Sequence, residues 1–115
     1  MDVRNILNVI GDLALLGYAL ASVVRPVEMG KALSISLQDK RGIAEFRILS
    51  GGSLVAIALG TLLINQPVGY HILGLGWIGA GVTRLISYFL DRPALNATYV
   101  ASFVGEISLG IMMLV

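Results

Sequence analysis

Four long apolar stretches take up most of the chain and limit what it can fold into. They cover residues 6–24, 43–64, 68–90 and 94–115. Each is about 20 residues long, and an α-helix of that length, rising about 1.5 Å per residue, crosses the roughly 30 Å hydrocarbon core of a bilayer. Two of the three connections are very short, which makes neighbouring helices antiparallel. We predict one domain, residues 1–115, that is all-α: a polytopic membrane protein folded as an antiparallel four-transmembrane-helix bundle.

Composition supports this prediction and excludes several functional classes. Hydrophobic residues make up 57% of the chain and charged residues 13%, with a net charge of +1. The chain has no cysteine and one histidine, His71, so thiolate chemistry, a thiolate metal site and bis-histidine haem ligation are excluded. The small net charge provides no field for nucleic acid. We expect no metal, no cofactor, no nucleic-acid partner and no enzymatic activity.

The first apolar stretch also has features of a secretory signal. Arg4 precedes the stretch, and the segment Ala-Leu-Ala-Ser, from Ala19 to Ser22, resembles a small-residue cleavage site. Asn8 and Asp12 interrupt the apolar run, however, unlike the core of a signal peptide. We therefore expect an uncleaved transmembrane helix.

Residues 25–42 form the one sizeable connection, which we predict to be an interfacial loop. Pro26 should end the first helix, because the residue before a proline disfavours helical geometry. Beyond it, Leu33, Ile35 and Leu37 alternate with polar residues. A period of two favours a short extended segment, and a short amphipathic helix is the alternative.

Basic residues are distributed unequally between the two sides of the predicted bundle. One side has Arg4 alone, and the other has Arg25, Lys31, Lys40, Arg41 and Arg92, with Arg47 and Arg84 nearby. Because Lys and Arg are enriched in cytoplasmic loops, we expect a bacterial inner-membrane protein with both termini in the periplasm.

Several ionisable residues lie within the apolar stretches, where each costs about 2.5 to 3.5 kcal/mol on insertion scales. Such groups usually face the bundle interior and pair there. Helical spacing predicts an ion pair between Arg84 and Glu106, with the ring of Trp77 close enough to stack on the Arg84 guanidinium. The predicted interior polar cluster is Asp12, Arg47, Trp77, Arg84, Tyr99, Ser102 and Glu106.

Glu45 and Arg47 stand two positions apart at the start of the second apolar stretch. Residues at this spacing point about 200° apart on an α-helix, so these two cannot pair with each other. We predict that Arg47 faces inward, along a groove of small residues that includes Gly51 and Ala58, and that Glu45 lies at the headgroup level.

Small residues recur at spacings that let membrane helices approach closely, such as Gly76 with Ala80 and Ala101 with Gly105. Glycines of the third stretch fall on more than one side of the helix, which predicts several close neighbours. The residues predicted to serve helix packing are Gly51, Gly52, Gly60, Gly76, Ala80 and Gly105.

These residues together form a recognisable pattern: Glu-x-Arg followed by glycines at the second stretch, an arginine late in the third, and a glutamate in the fourth. The pattern resembles a family of short bacterial four-helix membrane proteins of unknown function, related to the DoxX-like group. The residues that carry the resemblance are Glu45, Arg47, Gly51, Gly52, Gly60, Arg84, Asp91 and Glu106. The third turn reads Asp-Arg-Pro where the family pattern has Asp-Gly. The resemblance implies the fold and the paired charges, and it implies no reaction.

Three functions remain open at this point. The first is an accessory or structural subunit that packs against other transmembrane helices, or against further copies of itself. The second is binding of a lipid headgroup or quinone-like molecule at an interior Arg/Glu site. The third is ion or proton transport. The bilayer is the one certain partner expected from the sequence.

Overall fold

The structure, a computed structural model, describes residues 2–93 and 95–115. All regular secondary structure within these residues is helical. There are five helices when the continuous helical segment Lys40–Ile64 is counted as one. They are α1 (Val3–Val24), α2 (Pro26–Ala32), α3 (Lys40–Ile64), α4 (Pro67–Asp91) and α5 (Ala97–Leu114). All except α2 are long and apolar enough to cross a membrane. The predicted all-α fold class with four membrane-spanning segments is confirmed.

The chain is organised in two compact units. One contains Met1–Gly11 and Asn65–Val115, and the other contains Asp12–Ile64. We call the first the hairpin unit, because it includes α4 and α5, and the second the loop unit, because it includes α2 and the connection to α3. The prediction of a single domain stays a prediction.

Burial along α1 is inverted relative to a helix of a water-soluble protein. The buried residues of α1 are small or polar, among them Asn8, Asp12 and Ser22. Large aliphatic residues on the same helix, such as Ile10 and Leu13, are exposed. A bilayer accommodates exposed aliphatic side chains but cannot satisfy polar ones, so this distribution suits helices surrounded by lipid.

The loop unit differs from the prediction for residues 25–42. Pro26 ends α1 as expected, but it also occupies the first turn of α2, where proline is well tolerated because the missing N–H would have no partner there. The chain then reverses at Ser34, whose φ is 60°, and the Ile35 N–H donates to the Gly30 carbonyl at 2.7 Å. The alternating segment is therefore non-helical, as predicted, whereas the helix before it was missed.

A π-helical turn at Arg47–Gly52 interrupts α3. Its hydrogen bonding includes the Ser53 N–H, which donates to the Ile48 carbonyl five residues earlier. Phe46 and Gly51 would lie about 140° apart on an α-helix, whereas a π-helical turn, with its i→i+5 hydrogen bonds, brings residues five apart closer to one side. The turn thereby places Phe46, Gly51 and Ala58, the buried residues of α3, on one side.

In the hairpin unit, the turns on either side of α4 fix its ends. The Tyr70 hydroxyl, buried with 1% exposure, donates to Asn65 Oδ1 at 2.7 Å. At the other end Arg92 takes the left-handed conformation, φ 47°, that glycine usually supplies after a helix. Its guanidinium lies 5.2 Å from the Tyr88 ring centroid and 5.3 Å from that of Phe89.

The fourth span was predicted to begin at Ala94, which lies outside the described residues. Helix α5 begins at Ala97, because the Asn96 side chain caps it by accepting a hydrogen bond from the Tyr99 N–H at 2.8 Å.

Candidate functional site

An ion pair between α4 and α5 is the central polar feature of the hairpin unit. Arg84 Nε donates to Glu106 Oε1 and Arg84 Nη2 donates to Glu106 Oε2, each at 2.8 Å. The side chains are 25% and 12% exposed. Two parallel charge-assisted hydrogen bonds fix the orientation of both groups, so the sequence-predicted partners are joined directly.

Tyr99 holds the same arginine from a second direction. Its hydroxyl donates to the Arg84 backbone carbonyl at 2.8 Å, and the guanidinium carbon lies 5.2 Å from the Tyr99 ring centroid. A cation at that distance over an aromatic face is attracted by the ring. The Tyr99 hydroxyl thus holds the Arg84 backbone, while the Tyr99 ring and the Glu106 carboxylate hold the Arg84 guanidinium.

Glycines bring α4 and α5 close enough for this pair to form. A Cβ placed on Gly81, three residues before Arg84, would lie 2.5 Å from Ile107 Cδ1 and 3.6 Å from Glu106 Cβ. A Cβ on Gly110 would lie 2.6 Å from Ile78 Cδ1 and 2.9 Å from the Gly74 carbonyl oxygen. A methyl group at Gly110 would therefore meet backbone, and one at Gly81 would require the Ile107 side chain to move. We call Gly74, Ile78 and Gly81 the packed face of α4.

The glycines predicted from the sequence to pack between helices are not those of the contact between α4 and α5. It favoured the four-residue spacing of Gly76 with Ala80 and missed the seven-residue spacing of Gly74 with Gly81, which also places two residues on one side of a helix. No described atom lies within 4 Å of a Cβ placed on Gly60, Gly76 or Gly105, and one on Gly52 would meet only the Arg47 carbonyl of its own helix, at 4.0 Å. These four glycines and Ala80, which is exposed, do not serve close helix packing among the described residues.

Gly51 lies at a close approach between two helices of the loop unit. A Cβ there would lie 2.7 Å from Val23 Cγ2 and 3.2 Å from the Val23 nitrogen, so α3 approaches the end of α1 at this glycine. The predicted groove of small residues is present at Gly51 and at Ala58, which is fully buried.

Arg47 does not face the interior as predicted. It is exposed, and its Nε donates to the Val23 carbonyl at 3.0 Å, in the last turn of α1. The physical reason is the π-helical turn that begins at Arg47, which turns Phe46 and Gly51 inward instead. A cation near the last carbonyls of a helix interacts favourably with the helix dipole. Glu45 is also exposed, and its place at the headgroup level stays a prediction.

The other members of the predicted cluster are Asp12 of the loop unit and two residues of the hairpin unit, Trp77 and Ser102. Asp12 belongs to the loop unit, is 0% exposed, and neither of its carboxylate oxygens has a hydrogen-bond partner among the described residues. In the hairpin unit, the Trp77 Nε1 atom is buried and likewise has no hydrogen-bond partner in the described part of the chain. Ser102 is half-buried. The stacking of Trp77 on Arg84, and a single cluster of all seven residues, stay predictions.

A second side of α4 presents exposed small residues. Gly76, Gly79, Ala80 and Thr83 fall on one side of the helix by their spacing and are all exposed, and we call them the open face of α4. No described atom lies within 4 Å of a Cβ placed on Gly76 or Gly79. The sequence had indicated small residues on several sides of this helix. Within the described part of the chain, one of these sides packs against α5 and the other is exposed.

The ionisable side chains of the described residues do not gather into a metal-binding group. No three His, Cys, Asp or Glu side chains there lie close enough to hold a metal ion. What the described arrangement offers is one neutralised charge pair between two closely packed helices, together with an open small-residue face.

Comparison with known proteins gives a family without an assigned activity. No curated protein and no solved structure matches the chain. A family model described as a domain of unknown function, DUF4345, matches residues 3–115. The predicted relation to the DoxX-like group stays a prediction, whereas an uncharacterised family spanning the chain is what the sequence pattern had indicated. The chain belongs to the DUF4345 family.

Proposed function

We propose that this multi-pass membrane protein is an accessory or structural subunit that packs against transmembrane helices of a larger complex and has no catalytic chemistry of its own. The observation that supports this most is the open face of α4. Gly76 and Gly79 have the space for a close helix neighbour, and no described residue of the chain fills it.

The hairpin unit itself illustrates what such a face can do. On the packed face, glycines let α5 approach until a Cβ on Gly110 would overlap Ile78. In membranes small residues promote helix association because they allow extended van der Waals contact between backbones. The open face offers the same chemistry to a helix from another subunit, or from a second copy of this chain.

The open face can be tested by site-specific photocrosslinking in native membranes. A photoreactive side chain at Ala80 should capture a discrete partner, identified by mass spectrometry. The matched control is Val82, which is also exposed but points about 200° away on the helix. Capture of a second copy of this chain would indicate a homo-oligomer. Equal, diffuse labelling from both positions, or lipid adducts alone, would contradict the proposal.

Binding of a lipid headgroup or quinone-like molecule by Arg84 and Glu106 is less well supported. Each group already uses two polar atoms on the other, at 2.8 Å. A ligand would have to replace this bidentate pair before either charge could serve it.

Ion or proton transport is the remaining alternative. It would require a continuous polar path, and it predicts flux in liposomes that Glu106→Gln abolishes. Flux that continues unchanged in this variant, or no flux in the wild type, would exclude transport through the ion pair.

We further propose that the protein resides in a bacterial inner membrane with both termini in the periplasm, on the basis of its Lys and Arg distribution. Cysteine introduced at Asp2 should then react with a membrane-impermeant thiol reagent in intact cells, and cysteine at Gln38 should react only after the membrane is opened. The chain has no natural cysteine to interfere.

A further inference from the structure

The carboxyl group of Asp12 is buried without a hydrogen-bond donor among the described residues. It lies well inside α1, nine residues after the start of the helix at Val3. Its exposure is 0%, and neither Oδ1 nor Oδ2 has a hydrogen-bond donor among the described residues. A buried carboxylate without donors or a counter-charge is strongly unfavourable, because burial removes its hydration and replaces it with nothing.

No basic side chain of α1 can supply the missing charge. Arg4 is exposed and stands eight residues earlier, about 12 Å along the helix axis, which is more than the length of an extended arginine side chain. Arg25 lies beyond the other end of the helix. Of the arginines within the apolar spans, Arg84 is bound to Glu106, and Arg47 donates to the Val23 carbonyl.

A second buried acceptor lies on the same face of α1. Asn8 precedes Asp12 by four residues, so the two side chains are neighbours on one helical turn. Asn8 is 4% exposed, and its Oδ1 also has no donor within the described residues. One buried helix face therefore carries three oxygen acceptors without partners, and what such a set lacks is a positive charge.

We propose that Asp12 is a binding site for a small monovalent cation, either a proton or Na⁺. A proton converts the carboxylate to a neutral acid, whose O–H is a donor for a neighbouring acceptor such as Asn8 Oδ1. Na⁺ is a hard cation, and such cations take oxygen ligands of the kinds that Asp12 and Asn8 supply. Either occupant removes the uncompensated charge from the apolar span. The proposal goes beyond the subunit role above and does not depend on it.

Infrared spectroscopy of the full-length protein in liposomes tests this site directly, because a protonated carboxyl and a carboxylate absorb separately. The protein is prepared with ¹³C-labelled aspartate in Na⁺-free buffer at neutral pH. We expect a carboxylic-acid C=O band that shifts with the ¹³C label and on exchange into D₂O. The band should be lost in Asp12→Asn and retained in Glu106→Gln, whose parent glutamate is ion-paired.

Addition of excess NaCl, with KCl as the matched salt, identifies the occupant. If NaCl but not KCl converts the band to that of a carboxylate, the site takes Na⁺ in competition with a proton. If the band is unchanged in both salts, the occupant is a proton. Either result supports a cation at Asp12.

Absence of a label-shifted acid band in Na⁺-free buffer would overturn the proposal, because it would show that Asp12 is ionised and compensated by other means. A labelled acid band that persists in Asp12→Asn would overturn it too. Should Asp12→Asn fail to fold, the variant with Asp2, Asp39 and Asp91 changed to Asn leaves Asp12 as the sole aspartate. These three residues are exposed, and asparagine can replace aspartate as a helix cap. The same criteria then apply to its one labelled band.

Discussion

The two sides of α4 contain the same small residue in opposite situations. On the packed face, a methyl group on Gly81 would overlap Ile107 of α5 and one on Gly74 would lie tightly against Met113, at 3.0 Å from its Cβ. The Arg84–Glu106 ion pair joins the same two helices. On the open face, Gly76 and Gly79 meet nothing described within 4 Å. Glycine spacing alone thus indicates that another helix can pack closely against α4. The structure shows that α5 packs on the side of Gly74 and Gly81.

The largest effect should come from breaking the ion pair on the packed side. Arg84→Leu leaves the Glu106 carboxylate, 12% exposed, without its counter-charge, and we expect the free energy of unfolding to fall by about 3 to 5 kcal/mol. Unfolding by SDS in mixed micelles measures this change. The control is the double variant Arg84→Leu/Glu106→Leu, which should recover much of the loss because no charge stays buried. A double variant no more stable than Arg84→Leu would argue against direct pairing.

Overpacking of the glycine contact should have the next largest effect. Gly110→Ala forces a methyl group to within 2.9 Å of the Gly74 carbonyl oxygen, and backbone cannot yield as a side chain can. We expect a destabilisation of about 1 to 3 kcal/mol in the same titration. Gly105→Ala on the same helix is the matched control. No described atom lies within 4 Å there, so it should be neutral or stabilising by up to about 1 kcal/mol. Equal effects of the two substitutions would contradict the assignment of the packed face.

The sequence was sufficient to predict the four long helices but not the glycines at which they pack. Hydrophobic length was enough to identify the four helices that are long and apolar enough to cross a membrane, because a bilayer requires about 20 apolar residues per helix. It was not enough to choose Gly74, Gly81 and Gly110 over Gly76 and Gly105, since both sets have helical spacing and only the position of the neighbouring helix distinguishes them.

The same limit applies to the polar residues. Arg84 and Glu106 were predictable as partners because few opposite charges lie at compatible depths. The predicted inward orientation of Arg47 was wrong because the Glu45–Gly52 sequence has no feature that predicts a π-helical turn. A π-helical turn contains one more residue than an α-helical turn, which changes the side chains that face inward. The absence of a described partner for Asp12 could not be read from sequence at all.

Removal of the Tyr99 hydroxyl should have a smaller effect on the packed side. Tyr99→Phe keeps the ring near Arg84 but loses the hydrogen bond to the Arg84 carbonyl, and we expect a loss of about 1 kcal/mol. Tyr18→Phe is a suitable control, because the Tyr18 hydroxyl has no hydrogen bond within the described residues. A loss of stability in Tyr18→Phe as large as that in Tyr99→Phe would show that the Arg84 contact adds nothing specific.

The smallest effect on the isolated chain should come from the open face. Gly79→Leu adds a large side chain where no described atom lies within 4 Å, so we expect the free energy of unfolding to change by about 0.5 kcal/mol or less. A loss comparable to that of Gly110→Ala in the purified chain would mean that the open face is already occupied within the protein.

The decisive measurement is the mass of the particle that carries this protein after mild detergent extraction from native membranes, compared for wild type, Gly79→Leu and Val82→Leu. If the open face docks another transmembrane helix, wild type and Val82→Leu will migrate in a larger complex and Gly79→Leu will migrate as the chain alone, although it is equally stable. The chain migrating alone in all three cases, or a complex that survives Gly79→Leu, would contradict the account.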